Sequence, residues 1–258
     1  MSASARLLGP ALALGLAAAM AATLPVSGLP VRTGPAGARV QSMIAGRAGA
    51  ILFASRPLRA SATSVKVGRR RCAVAAGTPL AVLAAAHRAG GPAFLVRDYG
   101  HCGPSPASSG ELFVYSLGGE ANSGANGWEY KVDGAAGSTG AGDPAGPDGN
   151  GERLRNGEHV LWFWCVASGT GCERSLEVTA SATRVTASGA LAVTVRGFDN
   201  EGRAAAAPGA TVTLGGDSAV TDASGRATVA APALPGHYAL DAVAPAMVPS
   251  FPETIAVG

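Results

Sequence analysis

Glycine and proline punctuate this chain so often that long helices are hard to place anywhere in it. With 37 Gly and 17 Pro in 258 residues, the apolar residues fall into short runs between turn signals. Short apolar runs bounded by turns are the pattern of strands, so a β-dominated protein is expected. Hydrophobic residues make up 47% of the chain and aromatics only 5%, so Ala, Val and Leu must supply most of the core. The length allows two ordinary domains. The net charge of +3 is modest and spread out. Nucleic acid is not an expected partner, because phosphate binding needs a dense basic face. The single basic cluster, Arg69-Arg70-Arg71, is expected at a solvated hairpin turn.

The first residues have the form of a signal peptide, assigned to 1–28, with a leader over 29–37. Arg6 precedes an apolar run from Leu7 to about Ala22, and Ala17-Ala18-Ala19 and Ala19-Met20-Ala21 offer small-x-small cleavage sites. The run is shorter than a spanning helix needs and contains Gly9, Pro10 and Gly15, so no transmembrane span is expected in the mature chain. An extracellular or envelope-associated location follows. Four cysteines, Cys72, Cys102, Cys165 and Cys172, agree with export. Two disulfides are expected, with three connectivities open; the short flexible spacing favours Cys165 with Cys172, leaving Cys72 with Cys102. No C-x-x-C motif suggests a zinc site.

Along the chain, weak alternation begins at Val40, Ser42 and Ile44, followed by Ile51-Leu52-Phe53 and Ser64-Val65-Lys66-Val67. The strongest helix signal starts at Gly77-Thr78-Pro79, with Thr78 as cap and Pro79 at the first helical position, and stops at Gly90-Gly91. Strand-length runs follow at 93–96, 112–115, 128–132 and 160–164, with turns at Asp133-Gly134 and Asn156-Gly157. The segment 135–151 is nearly all Gly, Ala, Pro and Asp and is expected to be mobile. From 183 onward, clean alternation over 191–195, 210–214, 227–229 and 238–240 gives a second unit of short strands, read as a small β-sandwich.

Two stretches carry family resemblances. Gly127-Trp128-Glu129-Tyr130-Lys131-Val132-Asp133-Gly134 resembles the "GW-x-Y-x-V-N/D-G" signature of the transcobalamin C-terminal-like domain, and Leu154 to Trp162 resembles its "L-x-x-G-D-x-V-x-W" signature, with Glu158 at the Asp position. The Gly77–Leu80 helix start also matches. The resemblance implies a β-grasp-like module over 38–178, a small mixed sheet on one helix, and a corrinoid as possible ligand. The insertion at 135–151 departs from that pattern. Residues 183–258 resemble bacterial Ig-like or carboxypeptidase-regulatory-like sandwiches through Gly209-Ala210-Thr211-Val212 and Thr221-Asp222-Ala223-Ser224-Gly225-Arg226-Ala227. That resemblance implies a spacer or adhesion module.

Candidate chemistry is sparse. His87 and Ser218 sit in segments superficially like those around a protease His and Ser, but they fall in different modules, and a triad needs both within hydrogen-bond reach. Asp143, Asp148, Asn150 and Glu152 have partly calcium-like spacing, yet no bidentate Glu follows, so a solvated turn is the plainer reading. Phe251-Pro252-Glu253-Thr254 is read as part of a last strand rather than a wall-sorting signal. The aromatics are the leading group. In consecutive Trp162-Phe163-Trp164, alternate side chains face opposite sides of a strand. Trp128, Tyr130, Trp162 and Trp164 are either the core of an aromatic-poor domain or a stacking surface for a ring-bearing ligand or glycan. The sequence therefore leads to a non-catalytic exported binding protein, α+β then all-β, with no metal. A structural or adhesive surface protein is the alternative.

Overall fold

The computed structural model describes residues 37–169 and 171–258, all within one compact unit. The signal peptide at 1–28 and nearly all of the leader lie outside the described residues. Among the described residues, no helix is long and apolar enough to cross a membrane.

The first module opens with β1 (Arg39–Ala45) and β2 (Ile51–Arg59), an antiparallel pair, and a second hairpin, β3 (Thr63–Val67) and β4 (Arg70–Val74). Gly68 and Arg69 make its tip, which puts the basic cluster at a hairpin turn as expected. Helix α1 (Pro79–Arg88) begins where the sequence places it. Thr78 Oγ1 accepts a hydrogen bond from the Ala81 N–H at 3.3 Å, and Pro79 needs no partner at the first position. Then come β5 (Phe94–Asp98), β6 (Leu112–Leu117) and β7 (Glu120–Ala121), a small antiparallel sheet, followed by β8 (Gly127–Val132), β9 (Ala135–Ala136) and β10 (His159–Cys165). The larger sheet runs β2-β1-β10-β8-β9, with β1 parallel to β10 and every other pair antiparallel. A parallel pair needs a long crossover between its strands, and α1 lies in that crossover. The Asp133-Gly134 turn joins β8 to β9 with positive φ at both residues, 46° and 88°, the conformation of a type I′ hairpin turn.

The second module holds β11 (Ser175–Ala180), β12 (Arg184–Val185), β13 (Ala190–Phe198), β14 (Ala204–Ala206), β15 (Thr211–Leu214), β16 (Asp217–Val220), β17 (Arg226–Ala230), β18 (Gly236–Val243) and β19 (Glu253–Val257). One sheet is β11-β13-β14, with β17 also on β13; the other is β12-β19-β18-β15-β16. The buried residues of β13 alternate, Leu191, Val193 and Val195 facing a core shared with Val212, Leu214 and Ile255. This is a two-sheet β-sandwich, and the described residues are mostly strand. Residues 175–178, within the span assigned from sequence to the first module, hydrogen-bond into this sandwich as part of β11.

Within the 135–151 segment, residues 141–147 are packed more closely than its composition suggests, while 148–151 are exposed. The Ala141 carbonyl accepts from the Leu80 N–H at 2.8 Å, and the Ser109 hydroxyl donates to the Gly142 carbonyl. Ala141, Gly142, Gly146 and Pro147 are buried. Small residues let this backbone lie directly against the start of α1: a Cβ on Gly142 would meet the Ser109 carbonyl oxygen at 2.5 Å.

Candidate functional site

The four aromatics singled out from sequence meet on one face of the large sheet. Register pairs Trp162 with Tyr130 and Trp164 with Trp128, and each pair has its ring centroids 5.6 Å apart. All four point into the core that contains α1, and none is more than 5% exposed. The Trp128 indole N–H donates to the Glu120 carbonyl at 2.9 Å, and the Tyr130 hydroxyl donates to the Thr139 carbonyl at 2.9 Å. Burial pushes the Tyr130 phenol up to about 12. The expected stacking surface of Trp128, Tyr130, Trp162 and Trp164 is therefore corrected: these rings are core, because α1 and its neighbours cover the face they occupy.

The opposite face of the same sheet is also covered. Met43, Leu161, Phe163 and Cys165 form a buried cluster with Val248, and Phe251 packs against it. Val248 and Phe251 belong to the second module, so the sandwich closes the sheet face that α1 does not. Lys131, on β8, enters this junction and is 1% exposed. Its ammonium donates to the Phe198 carbonyl at 2.8 Å, the Asp199 carbonyl at 3.1 Å and the Ser175 hydroxyl at 3.3 Å, all in or beside strands of the sandwich. Three donors meet three acceptors, which is what a buried ammonium requires. Burial lowers its pKa to about 8, with Asp199 opposing the shift. Beside it lies a cleft of about 260 Å³ lined by Lys131, Asp133, His159, Glu177, Phe251 and Glu253. Its groups are largely committed: His159 faces Asp133 at 3.5 Å and the Phe251 ring at 4.7 Å, and Glu253 accepts from the Ala180 N–H. The arrangement fastens two modules together.

No family model matches the chain, and no curated protein does. Among solved structures, the D00-D0 domain of Intimin is similar at 19% identity and a TM-score of 0.25, with 57% of this chain and 89% of that chain covered. The resemblance to transcobalamin C-terminal-like domains gains no support from these comparisons; the description as a β-rich chain with a two-sheet sandwich stands on the strand topology.

The motif residues behind both resemblances hold turns and cores. Thr221 Oγ1 donates to the Ala207 carbonyl and accepts from the Ala210 N–H, tying together the two halves of the sandwich motif. Asp222 Oδ1 accepts from the N–H groups of Ser224 and Arg226, closing the turn that follows. In the first module, Asn156 Oδ1 accepts from the Arg39 N–H, and Glu158 accepts from the Arg155 N–H.

The remaining candidates separate. Both disulfides form as favoured from spacing, Cys72 with Cys102 and Cys165 with Cys172. Asp143 and Asn150 each accept a backbone N–H two residues on, and Glu152 pairs with Arg155 at 2.9 Å, so these oxygens hold local turns. No metal-holding group of His, Cys, Asp and Glu exists among the described residues. His87 ends α1 within reach of the Gly91 carbonyl, while Ser218 lies on β16 in the other module. Phe251 is a junction residue, and Glu253 begins β19, in keeping with a last strand. Sequence reasoning missed Lys131 as a junction residue. Along β8 apolar Trp128, Tyr130 and Val132 alternate with polar Glu129 and Lys131, a pattern that reads as a solvent-facing lysine, so no local signal marked it.

Proposed function

We propose that this chain is a non-catalytic extracellular scaffold. Its two modules are docked through a shared sheet and act as a spacer or adhesive unit at the cell envelope or beyond it. The observation that carries this reading is the double burial of β10. Trp162 and Trp164 are buried in the core that contains α1, with the Arg47 guanidinium over the Trp164 ring, and Leu161 and Phe163 are sealed under the sandwich. That arrangement holds two modules in one orientation, and it leaves the aromatic cluster no face for a ring-bearing ligand. The strand order β2-β1-β10-β8-β9, with a central parallel pair and one helix across it, supports a β-grasp-like reading of the first module. The two disulfides support an oxidising, exported location.

A thermal-shift series on the full chain, disulfides intact, against corrinoids and other ring-bearing cofactors tests this. A ligand at a hundredfold its dissociation constant stabilises its target by about 2.7 kcal/mol, a visible rise in midpoint. The scaffold reading expects no such rise, together with recovery of the protein in the envelope or extracellular fraction. A saturable shift with a corrinoid would sink it in favour of a small-molecule carrier.

A further inference from the structure

The exposed face of β5 and β6 is not that of a plain spacer. Alternation turns Val96 inward on β5 and Leu112 and Val114 inward on β6. It leaves Leu95, Arg97 and Phe113 facing solvent, with Tyr99 just beyond the end of β5. Tyr99 is 64% exposed, Leu95 54% and Phe113 40%. Register sets Arg97 directly opposite Phe113. The Tyr99 and Phe113 rings lie with centroids 6.0 Å apart, tilted at 53°. The Arg97 guanidinium sits 5.0 Å over the Tyr115 ring, and its Nη1 donates to the Tyr99 hydroxyl at 3.4 Å. Contiguous exposed apolar and aromatic surface of this kind marks an interaction site more often than a solvated strand.

Charge points to the kind of partner. Arg97 has no carboxylate partner among the described residues. Residues 63–102 carry six Lys and Arg side chains and one carboxylate, Asp98. That carboxylate is already taken by Arg70 at 2.6 Å, the ion pair that ties the β3–β4 hairpin to β5. Lys66, Arg69 and Arg71 on the same hairpin carry no acidic partner among the described residues. The stretch 63–102 is thus strongly cationic in a chain whose net charge is only +3, with Glu111, just before β6, an exposed carboxylate packed beside it against Gly100.

We propose that this face binds an acidic polysaccharide. Tyr99, Phe113 and Tyr115 stack on the apolar faces of successive sugar rings, and Arg97 pairs with their carboxylate or sulfate groups. Aromatic rings and guanidinium groups side by side match a polymer that alternates apolar ring faces with fixed negative charge. The exposed groups run along the β5–β6 ladder and on past the end of β5 at Tyr99, a line of contacts that suits an extended chain better than a bilayer that must be penetrated. The proposal rests on the β5–β6 face and the cationic hairpin beside it, and stands or falls separately from the scaffold reading.

Affinity electrophoresis of the full chain through gels containing polygalacturonate, dextran sulfate or neutral dextran tests it, beside co-sedimentation with phosphatidylcholine/phosphatidylglycerol vesicles. The expected result is retardation by one or both acidic polymers and not by neutral dextran. Arg97→Gln and Tyr99→Ala should each weaken it about tenfold, or ~1.4 kcal/mol, with unchanged circular dichroism and melting midpoint. Arg203→Gln, an exposed change in the other module, should leave retardation unaltered. Equal retardation of wild type, Arg97→Gln and Tyr99→Ala would reduce the effect to general ion exchange and overturn the proposal. Retardation by no polymer, or association with vesicles alone, would overturn it as well.

Discussion

Lys131 carries a positive charge into the junction between the modules, where each of its three N–H donors has an acceptor. Such a group stabilises only as long as all its partners stay in place. Lys131→Met removes the charge but leaves the Phe198 and Asp199 carbonyls short of a donor, so we expect a loss of about 1–3 kcal/mol at pH 7 in a urea titration. The pH dependence has a definite sign. Burial lowers the folded pKa to about 8, while the unfolded lysine keeps its ordinary value near 10.4. Between those values the unfolded chain binds more protons, so this lysine makes stability rise with pH from about 8 to 10. Tyr130 acts oppositely and higher, because its folded value near 12 exceeds the unfolded value of about 10 and stability falls above that pH. Denaturation midpoints at pH 7, 8, 9 and 10 should climb for the wild type and stay flatter for Lys131→Met. Parallel curves would mean the ammonium is not buried as described.

Strand β10 and helix α1 set the stability of the first module. All three tryptophans are buried, so native emission should be blue-shifted and poorly quenched by acrylamide. Strong quenching would place a tryptophan at the surface. Trp162→Ala should cost about 3–5 kcal/mol, the range for removing a large aromatic from a packed core, as read from chemical denaturation. The Cys72–Cys102 bridge closes a loop of 30 residues that spans β4, α1 and β5. On the chain-entropy account, replacing both cysteines with Ala should cost about 3.6 kcal/mol and lower the melting midpoint measurably. At this scale much was legible in advance. Thr78, Pro79 and the glycine pair at 90–91 bracket α1, and Asp133-Gly134 makes its hairpin, because caps and turns depend on residues a few positions apart. The 135–151 segment was not legible. Its composition speaks for solvation, and only the proximity of Leu80 and Ser109 shows where its carbonyl groups find donors.

The molecule as a whole depends on one docking surface, formed by Leu161, Phe163 and Met43 on the sheet with Val248 and Phe251 from the sandwich. If that surface couples the modules, the chain should melt in a single calorimetric transition. Val248→Asp sets an unpaired charge into it and should cost about 3 kcal/mol or more, splitting the melt in two. Two transitions in the wild type would argue that the modules are only neighbours. The amino-acid sequence by itself determined the class of the protein: short alternating runs gave strands, turn residues gave their ends, and paired cysteines gave the bridges. It also singled out Trp128, Tyr130, Trp162 and Trp164 as the aromatic centre. What only the tertiary structure decided was whether those rings face water. A strand apolar on both sides reads the same whether a face is open or covered, because the covering residues are distant in the chain: α1, at least 40 positions before Trp128, covers the rings, and Val248 and Phe251, more than 80 positions on, cover Leu161 and Phe163. Burial is a property of what comes to lie on a surface, and that is settled by packing between distant segments.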